Sequence, residues 1–365
     1  MHEESKELTS WQTNKELVKS QLRPSDPYFA KAYDFIKRWL SGKAHFDLQT
    51  SGSTGTPKKI SVTRNQLSQS AAMTGRALAL NAGTKALVVL NIDYVAGLMM
   101  LVRGMELNWE LTIMEPTANP LLLLDETLQF DFTALVPMQL IACLENSQTN
   151  SRLNSLGKIL LGGAPVGVAL SEKILIMDFP VYLSYGMTET VSHVALKRLN
   201  GPHVKDEYFL LPEVNAGTDE RGCLYISGPM TNFEIIQTND LAKLTGESAF
   251  KWLGRIDNVI NSGGVKIILD GVDEHIAKVF YKINYDAAFF SWYQPDEKLG
   301  QKLVLIVEGT SDTFSEQMLI AEIRTALSAY EIPKHVYFAN QFLKTKTEKT
   351  DKRRTAEMLF KSING

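Results

Sequence analysis

Cysteine is nearly absent from this sequence, with only Cys143 and Cys223 in 365 residues. Two thiols exclude a disulfide framework and fit a reducing compartment. The histidines, at positions 2, 45, 193, 203, 275 and 335, show no zinc-ligand spacing. Long apolar runs are missing too: Ala86 to Leu90 and Leu121 to Leu124 fall far below the roughly 20 residues that a membrane span needs. The first seven residues are charged and carry no signal-peptide h-region, so the expected location is cytoplasmic with no membrane span. Charge of one sign is lacking as well. A formal net charge of -3 gives no global attraction to nucleic acid or anionic membrane. The basic run Lys344 to Arg354 is interrupted by acids and carries no interleaved aromatics, which disfavours a nucleic-acid patch. A solvated charge run, or a mobile loop that delivers one lysine to a phosphate, are the remaining readings. No Gly-x-Ser-x-Gly elbow follows a strand, and no Walker A spacing is found.

What is present is a concentrated stretch of hydroxyls, glycines and lysines: Thr50, Ser51, Gly52, Ser53, Thr54, Gly55, Thr56, Pro57, Lys58 and Lys59. Glycines let successive amides turn inward as an anion nest, hydroxyls add donors, and lysines neutralise charge. The alternative is a Ser/Thr/Gly linker. The flanks favour the phosphate loop, because Phe46 to Leu48 and Ile60 to Val62 read as strands and Thr63 as the N-cap of a helix.

Along the chain, Ser25-Asp26-Pro27 starts an amphipathic helix ending near Gly42, and Arg64 to Leu80 and Val95 to Leu107 read as two more. A strand at 86–90, read from its unbroken apolar run, and strands at 111–114, 132–136, 158–161 and 181–184 alternate with helices, including 138–144 and 166–176, which implies a parallel α/β sheet. Ligands then bind beyond the carboxyl ends of the strands. The stretch Thr50 to Lys59, Gly162-Gly163-Ala164-Pro165 and Tyr185-Gly186-Met187-Thr188-Glu189 are all placed at such ends, converging on one nucleotide site. After Val194 short strands joined by turns indicate an antiparallel β region. A boundary is expected near Asp257, giving a domain over 1–256 and a small α+β domain over 257–365, with a helix from Phe314 to Ala329.

Several residue types suit a nucleotide site. Glu189 and Thr188 offer a carboxylate and a hydroxyl to a Mg²⁺ carried by triphosphate, against the alternative of a solvated acid on a helical first turn. Tyr185 offers a flat face to a purine, and Asp240 two acceptors to a ribose; each is otherwise an ordinary structural residue.

Together and in this order, the stretches 50–58, 162–165, 185–189, 238–240, 254–257 and 345–349 resemble the adenylate-forming superfamily of acyl-CoA synthetases, adenylation domains and luciferases. The resemblance covers the chain from about Phe46 to its end. It implies ATP and CoA as co-substrates, Mg²⁺, and a carboxylic acid as acyl donor, and it leaves a homodimer open. Gly163, Ala164, Pro165, Tyr185 and Gly186 would surround adenine, and Asp240 and Arg255 would grip ribose. Thr188 and Glu189 would address the metal, and Lys349 would bridge the reacting carboxylate and the adenylate. Asp257 would be the hinge of a mobile small domain, and Ser262-Gly263-Gly264 would line a thiol tunnel. The family's longer N-terminal region would be pruned here. Its Thr-Gly-Asp is Thr238-Asn239-Asp240, the glycine before its catalytic lysine is Glu348, and its gating histidine is replaced by Tyr94 ahead of Gly97-Leu98. Within the superfamily the chain looks most like the o-succinylbenzoate:CoA ligases of menaquinone synthesis, on Met187 to His193, Ala134 to Pro137 and Arg103. The spectator carboxylate of such a diacid needs a cation or donors in an apolar pocket, and Arg103, Ser192 and His193 are the candidates. The alternative for Arg103 is a surface residue with its stem on the helix.

Overall fold

Helices with one apolar stripe and strands apolar on both faces can bury themselves only as layers, and the computed structural model is built that way. It describes residues 9–49, 59–345 and 349–364. The chain opens with strand β1 (Trp11–Thr13) and helices α1 (Leu17–Ser20) and α2 (Pro27–Leu40). The Asp26 carboxylate accepts from the Tyr28 and Phe29 amides, and Pro27 occupies the first turn. Phe29, Ala32, Phe35, Ile36 and Trp39 bury one face of α2.

Strands β2 (His45–Gln49) and β3 (Lys59–Thr63) pair only with each other, antiparallel. This corrects one expectation. The stretch 50–58 lies outside the described residues, and the strands that flank it form a separate hairpin instead of feeding the edge of the parallel sheet. Thr63 and Gln66 form the capping box that starts α3 (Arg64–Leu78).

The α/β alternation then follows as β4 (Lys85–Val88), α4 (Val95–Glu106), β5 (Glu110–Ile113), β6 (Phe132–Leu135), α5 (Pro137–Glu145), α6 (Ser147–Asn150), β7 (Lys158–Leu161), α7 (Val168–Leu175) and β8 (Val181–Gly186). Five of these strands are parallel in the order β5-β4-β6-β7-β8. The antiparallel region does not form a second sheet. It comprises β9 (His193–Arg198), β10 (Tyr208–Leu210), β11 (Asn215–Thr218), β12 (Cys223–Ser227), β13 (Ile236–Gly246) and β14 (Ala249–Arg255), which extend the same sheet as β9-β10-β14-β13-β12-β11. Cys143 and Cys223 are both free and buried.

A smaller α+β unit follows the turn Ile256–Asn258. Its elements are β15 (Val259–Ser262), β16 (Val265–Ile268), α8 (Leu269–Lys282), β17 (Phe289–Asp296), β18 (Gly300–Glu308), α9 (Glu316–Ile323), β19 (Val336–Ala339) and α10 (Lys352–Asn364). It has its own five-stranded sheet and its own core around Ile260, Val272, Ile276, Leu305 and Leu319. The helix expected to reach Ala329 stops at Ile323, where the Thr325 hydroxyl donates to the Glu322 carbonyl and the chain turns. Among the described residues no helix is long and apolar enough to cross a membrane.

Gly157 sets the spacing of the parallel strands. Its φ of +64° is left-handed, and a Cβ there would overlap the backbone of Phe130 and Asp131. Gly157→Ala should therefore cost on the order of 2 kcal/mol or more in urea unfolding. A loss below about 0.5 kcal/mol would show that β6 and β7 separate freely.

Candidate active site

The site grows from one register. In the pairing of β13 with β14, Asp240 stands directly opposite Arg255. The Arg255 guanidinium donates to Asp240 Oδ1 at 3.4 Å and to Asp257 Oδ2 at 3.2 Å. The other Asp240 oxygen accepts from the Tyr185 hydroxyl at 2.6 Å, and the Asp240 amide donates to Thr238 Oγ1. Burial and the Asp240 charge both raise the Tyr185 pKa, so the phenol stays protonated as the donor. Its ring packs edge-on against Phe250 and beside Tyr208. A carboxylate has about four acceptor positions, so Asp240 retains capacity for a pair of hydroxyls.

Tyr185 and Asp240 meet only because the sheet curls. In the order β8-β9-β10-β14-β13 they are four strand steps apart, roughly 19 Å on a flat sheet. The 2.6 Å bond therefore requires the sheet to bend between β8 and β13.

Beyond Tyr185 the chain turns through Thr188–Thr190. The buried Thr190 hydroxyl accepts from the Met187 amide and lies within 3.0 Å of the Met187 carbonyl. Val191, fully buried and β-branched, adopts φ +66°, a strained conformation held by its surroundings. A Cβ on Gly186 would overlap Ser192 and His193, so this glycine serves the close return of the strand. Thr188 is half-buried. Glu189 is exposed and forms no ion pair among the described residues. A lone carboxylate suits Mg²⁺ already bound to phosphate oxygens, and the described residues hold no cluster of three or more His, Cys, Asp or Glu that would make a dedicated metal cage.

The same turn carries Ser192 and His193 to Arg103. Arg103 is not a surface residue; it is 2% exposed on α4. Its Nε donates to Thr74 Oγ1 at 3.2 Å, and one terminal nitrogen reaches Ser192 Oγ at 3.0 Å and His193 Nδ1 at 3.4 Å. An arginine only donates, so Nδ1 accepts and the His193 proton sits on Nε2. That N–H donates to Thr74 Oγ1 at 3.1 Å, and the Thr74 hydroxyl donates in turn to the Ser70 carbonyl. Burial and the Arg103 charge lower the His193 pKa well below its usual value. Burial alone draws Arg103 down to about 9, which leaves it cationic at neutral pH, and no carboxylate among the described residues pairs with it. Thr74 was not legible as a site residue, although Ser70 and Thr74, spaced i,i+4 on the buried face of α3, were its signal.

Of the remaining candidates, the 163–165 segment follows the strand paired with that of Tyr185, Leu161 standing opposite Leu183. Gly163, Ala164 and Pro165 are exposed just beyond β7, with Gly163 at φ +81°. Tyr94 is half-exposed at the N-terminus of α4, while Gly97 abuts the Leu90 and Asn91 carbonyls, a packing position. Ser262, Gly263 and Gly264 make the β15–β16 turn, where the Gly263 amide donates to Leu299. Lys349 is exposed in a hairpin of the smaller unit, its amide donating to Thr345 Oγ1, and it forms no ion pair among the described residues. Thr50, Ser51, Gly52, Ser53, Thr54, Gly55 and Lys58 lie outside the described residues, as does Glu348.

The chain thus combines one large sheet with parallel and antiparallel halves, an acid–arginine–tyrosine group linking them, and a second α+β unit. The family described as AMP-binding enzyme matches residues 48–229. A crystal structure of an acyl-CoA synthetase (AMP-forming)/AMP-acid ligase II-like protein from Dyadobacter fermentans is 60% identical over 96% of this chain and 99% of its own, with a TM-score of 0.68. The chain belongs to this adenylate-forming family. It is also 29% identical to the 2-succinylbenzoate--CoA ligase of Staphylococcus aureus strain MSSA476 over 308 residues, 78% of this chain, and spans 61% of that protein's length. The Bacillus subtilis o-succinylbenzoate coenzyme A synthetase, solved with ATP and magnesium, shares the fold at 21% identity, with a TM-score of 0.68 over 85% of this chain and 69% of its own.

The depressed His193 pKa has a signed consequence. The unfolded chain binds the proton that the folded site refuses, so this contribution is complete above about pH 6.5 and declines as pH falls toward the folded value. Urea unfolding free energies should drop below pH 6.5 by up to about 1.4 kcal/mol per unit, and His193→Gln should flatten that limb. Parallel curves for the two proteins would show that His193 is not held neutral.

Proposed function

We propose that this protein is an AMP-forming acid:CoA ligase whose acid is o-succinylbenzoate. The single observation behind the acid assignment is Arg103, a buried cation with neutral hydrogen-bond partners and no carboxylate among the described residues. Sequestering a guanidinium without an anion costs several kcal/mol, and neutral donors and acceptors offset only part of it. A substrate that carries a second carboxylate supplies the missing charge. The similarity to 2-succinylbenzoate--CoA ligases supports the same choice.

In this reading Tyr185 and the exposed Gly163-Ala164-Pro165 segment face adenine, and Asp240 with Arg255 takes the ribose hydroxyls. The stretch Thr50 to Lys58 takes the triphosphate on its composition, and Glu189 with Thr188 holds Mg²⁺, which neutralises phosphate charge when bound. The reacting carboxylate attacks the α-phosphorus, a P–O bond forms, and pyrophosphate departs. Lys349 supplies positive charge at the phosphorus, where charge grows only in the transition state. CoA thiolate then attacks the acyl carbon and AMP leaves. The two steps need different groups at one place, so the unit 257–365 turns about Asp257 and the Ser262 to Gly264 turn lines the thiol path. A TM-score of 0.68 against a chain 60% identical over nearly its whole length supports rotation between units, since a common fold at that identity superposes more closely when its parts keep one orientation.

Acid-dependent pyrophosphate release across a panel of carboxylic acids tests the assignment. O-succinylbenzoate should exceed benzoate and acetate by about 100-fold in kcat/KM, and equal turnover of benzoate would defeat the diacid reading in favour of another aryl or acyl acid. Arg103→Met should raise KM for o-succinylbenzoate by about tenfold or more while benzoate turnover holds or improves. Lys349→Ala should lower kcat for pyrophosphate release by on the order of 100-fold.

A further inference from the structure

The hairpin that carries Lys349 is rooted where its two arms meet. The Asp351 amide donates to the Leu343 carbonyl at 2.7 Å, and the Leu343 amide donates to Thr355 Oγ1 at 3.0 Å. Lys344 and Thr350 bridge above the root, and Thr345 bonds the Lys349 backbone in both directions. On the outgoing arm, three residues past Lys349, the Lys352 ammonium lies 2.9 Å from Asp273 Oδ2 and over the Phe290 ring. The second Asp273 oxygen accepts from the Ser291 amide at 2.6 Å. Among the described residues this is the one ion pair that ties the outgoing arm to another element, and that element is α8. The same helix reaches the interunit turn through its first residues. Asp270 Oδ2 accepts from the Arg255 amide at 2.7 Å, and Asn258 donates to both Asp270 oxygens. One rigid helix thus carries an acid that grips the turn and, one turn on, an acid that grips the lysine hairpin.

We propose that Asp273 and Lys352 are positioning residues that couple the hairpin to α8, so that rotation at Asp257 is delivered to Lys349 without slack. The proposal rests on the reading of Lys349 above. Three residues span at most about 10 Å of chain, so play at Lys352 passes directly to Lys349. Misplacement of a catalytic group by about 1 Å costs up to about 100-fold in rate. A lysine at this position is a tether as well as a charge: its ammonium is shared between one carboxylate and the Phe290 face, which fixes both distance and direction.

The two half-reactions separate positioning from folding. Pyrophosphate release from ATP and o-succinylbenzoate requires Lys349 in place, whereas CoA-dependent consumption of synthetic o-succinylbenzoyl-AMP proceeds with it withdrawn. In the full-length protein, Lys352→Met and Asp273→Asn should each lower kcat for pyrophosphate release about tenfold, with KM for ATP and acid within about twofold of wild type. CoA-dependent consumption of the adenylate should be unchanged, and Lys352→Arg should restore most of the first step. If Lys352→Met loses both half-reactions equally, or keeps full pyrophosphate release while Lys349→Ala abolishes it, the coupling is overturned. If Lys349→Ala itself stays fully active, the assignment of the catalytic lysine fails and the coupling falls with it.

Discussion

The bond between Tyr185 and Asp240 is the contact on which the rest of this protein depends. It joins strands four places apart in one sheet, so it exists only if the sheet turns back on itself, and it fixes how far. A short charge-assisted hydrogen bond in a largely buried setting is strong enough to do this. It draws on the aromatic group of Tyr208 and Phe250 beneath it and on Arg255, which shares the same carboxylate. The atoms that close the fold are therefore the same ones proposed above to take the nucleotide.

The segment that carries Tyr185 also leads to the partners of Arg103. Within eight residues the chain passes from Tyr185 through the Thr188 turn and the strained Val191 to His193. The strain at Val191 has a purpose in this geometry, because without the reversal His193 could not reach both Arg103 and Thr74. The hydrogen-bond chain admits one proton arrangement, Arg103 to His193 to Thr74 to the Ser70 carbonyl, and it holds the guanidinium in a set orientation. Burial holds that cation away from water, which is the feature on which the proposed acid specificity rests.

Much of this was legible in the primary structure. Asp26 and Thr63 announced their helices through cap chemistry, which is local and survives any tertiary context. The five parallel strands were readable from runs of apolar residues too short for helices, and the Gly163 and Tyr185 loops from their places after such runs. Other features were not readable. The hairpin of β2 and β3 looks like two strands of the main sheet, because a strand's pattern does not name its partner. Arg103 was a candidate beside the alternative of a surface residue, and only its partners on α3 and β9 decide that it is buried. The end of α9 at Ile323 turned on a threonine that competes for backbone carbonyls, a small effect against the apolar pattern that continues to Leu327.

The amino-acid sequence alone determined the order of most elements and the chemistry on offer, because helix period, strand period and capping act over a few neighbouring residues. Tertiary structure decided which of those groups share a site. The Asp240–Arg255 register, the curl that brings Tyr185 onto Asp240, the enclosure of Arg103 and the span of α8 from Asp270 to Asp273 all depend on contacts between distant segments. Such contacts are chosen by packing and burial over the whole molecule, and no local pattern encodes them.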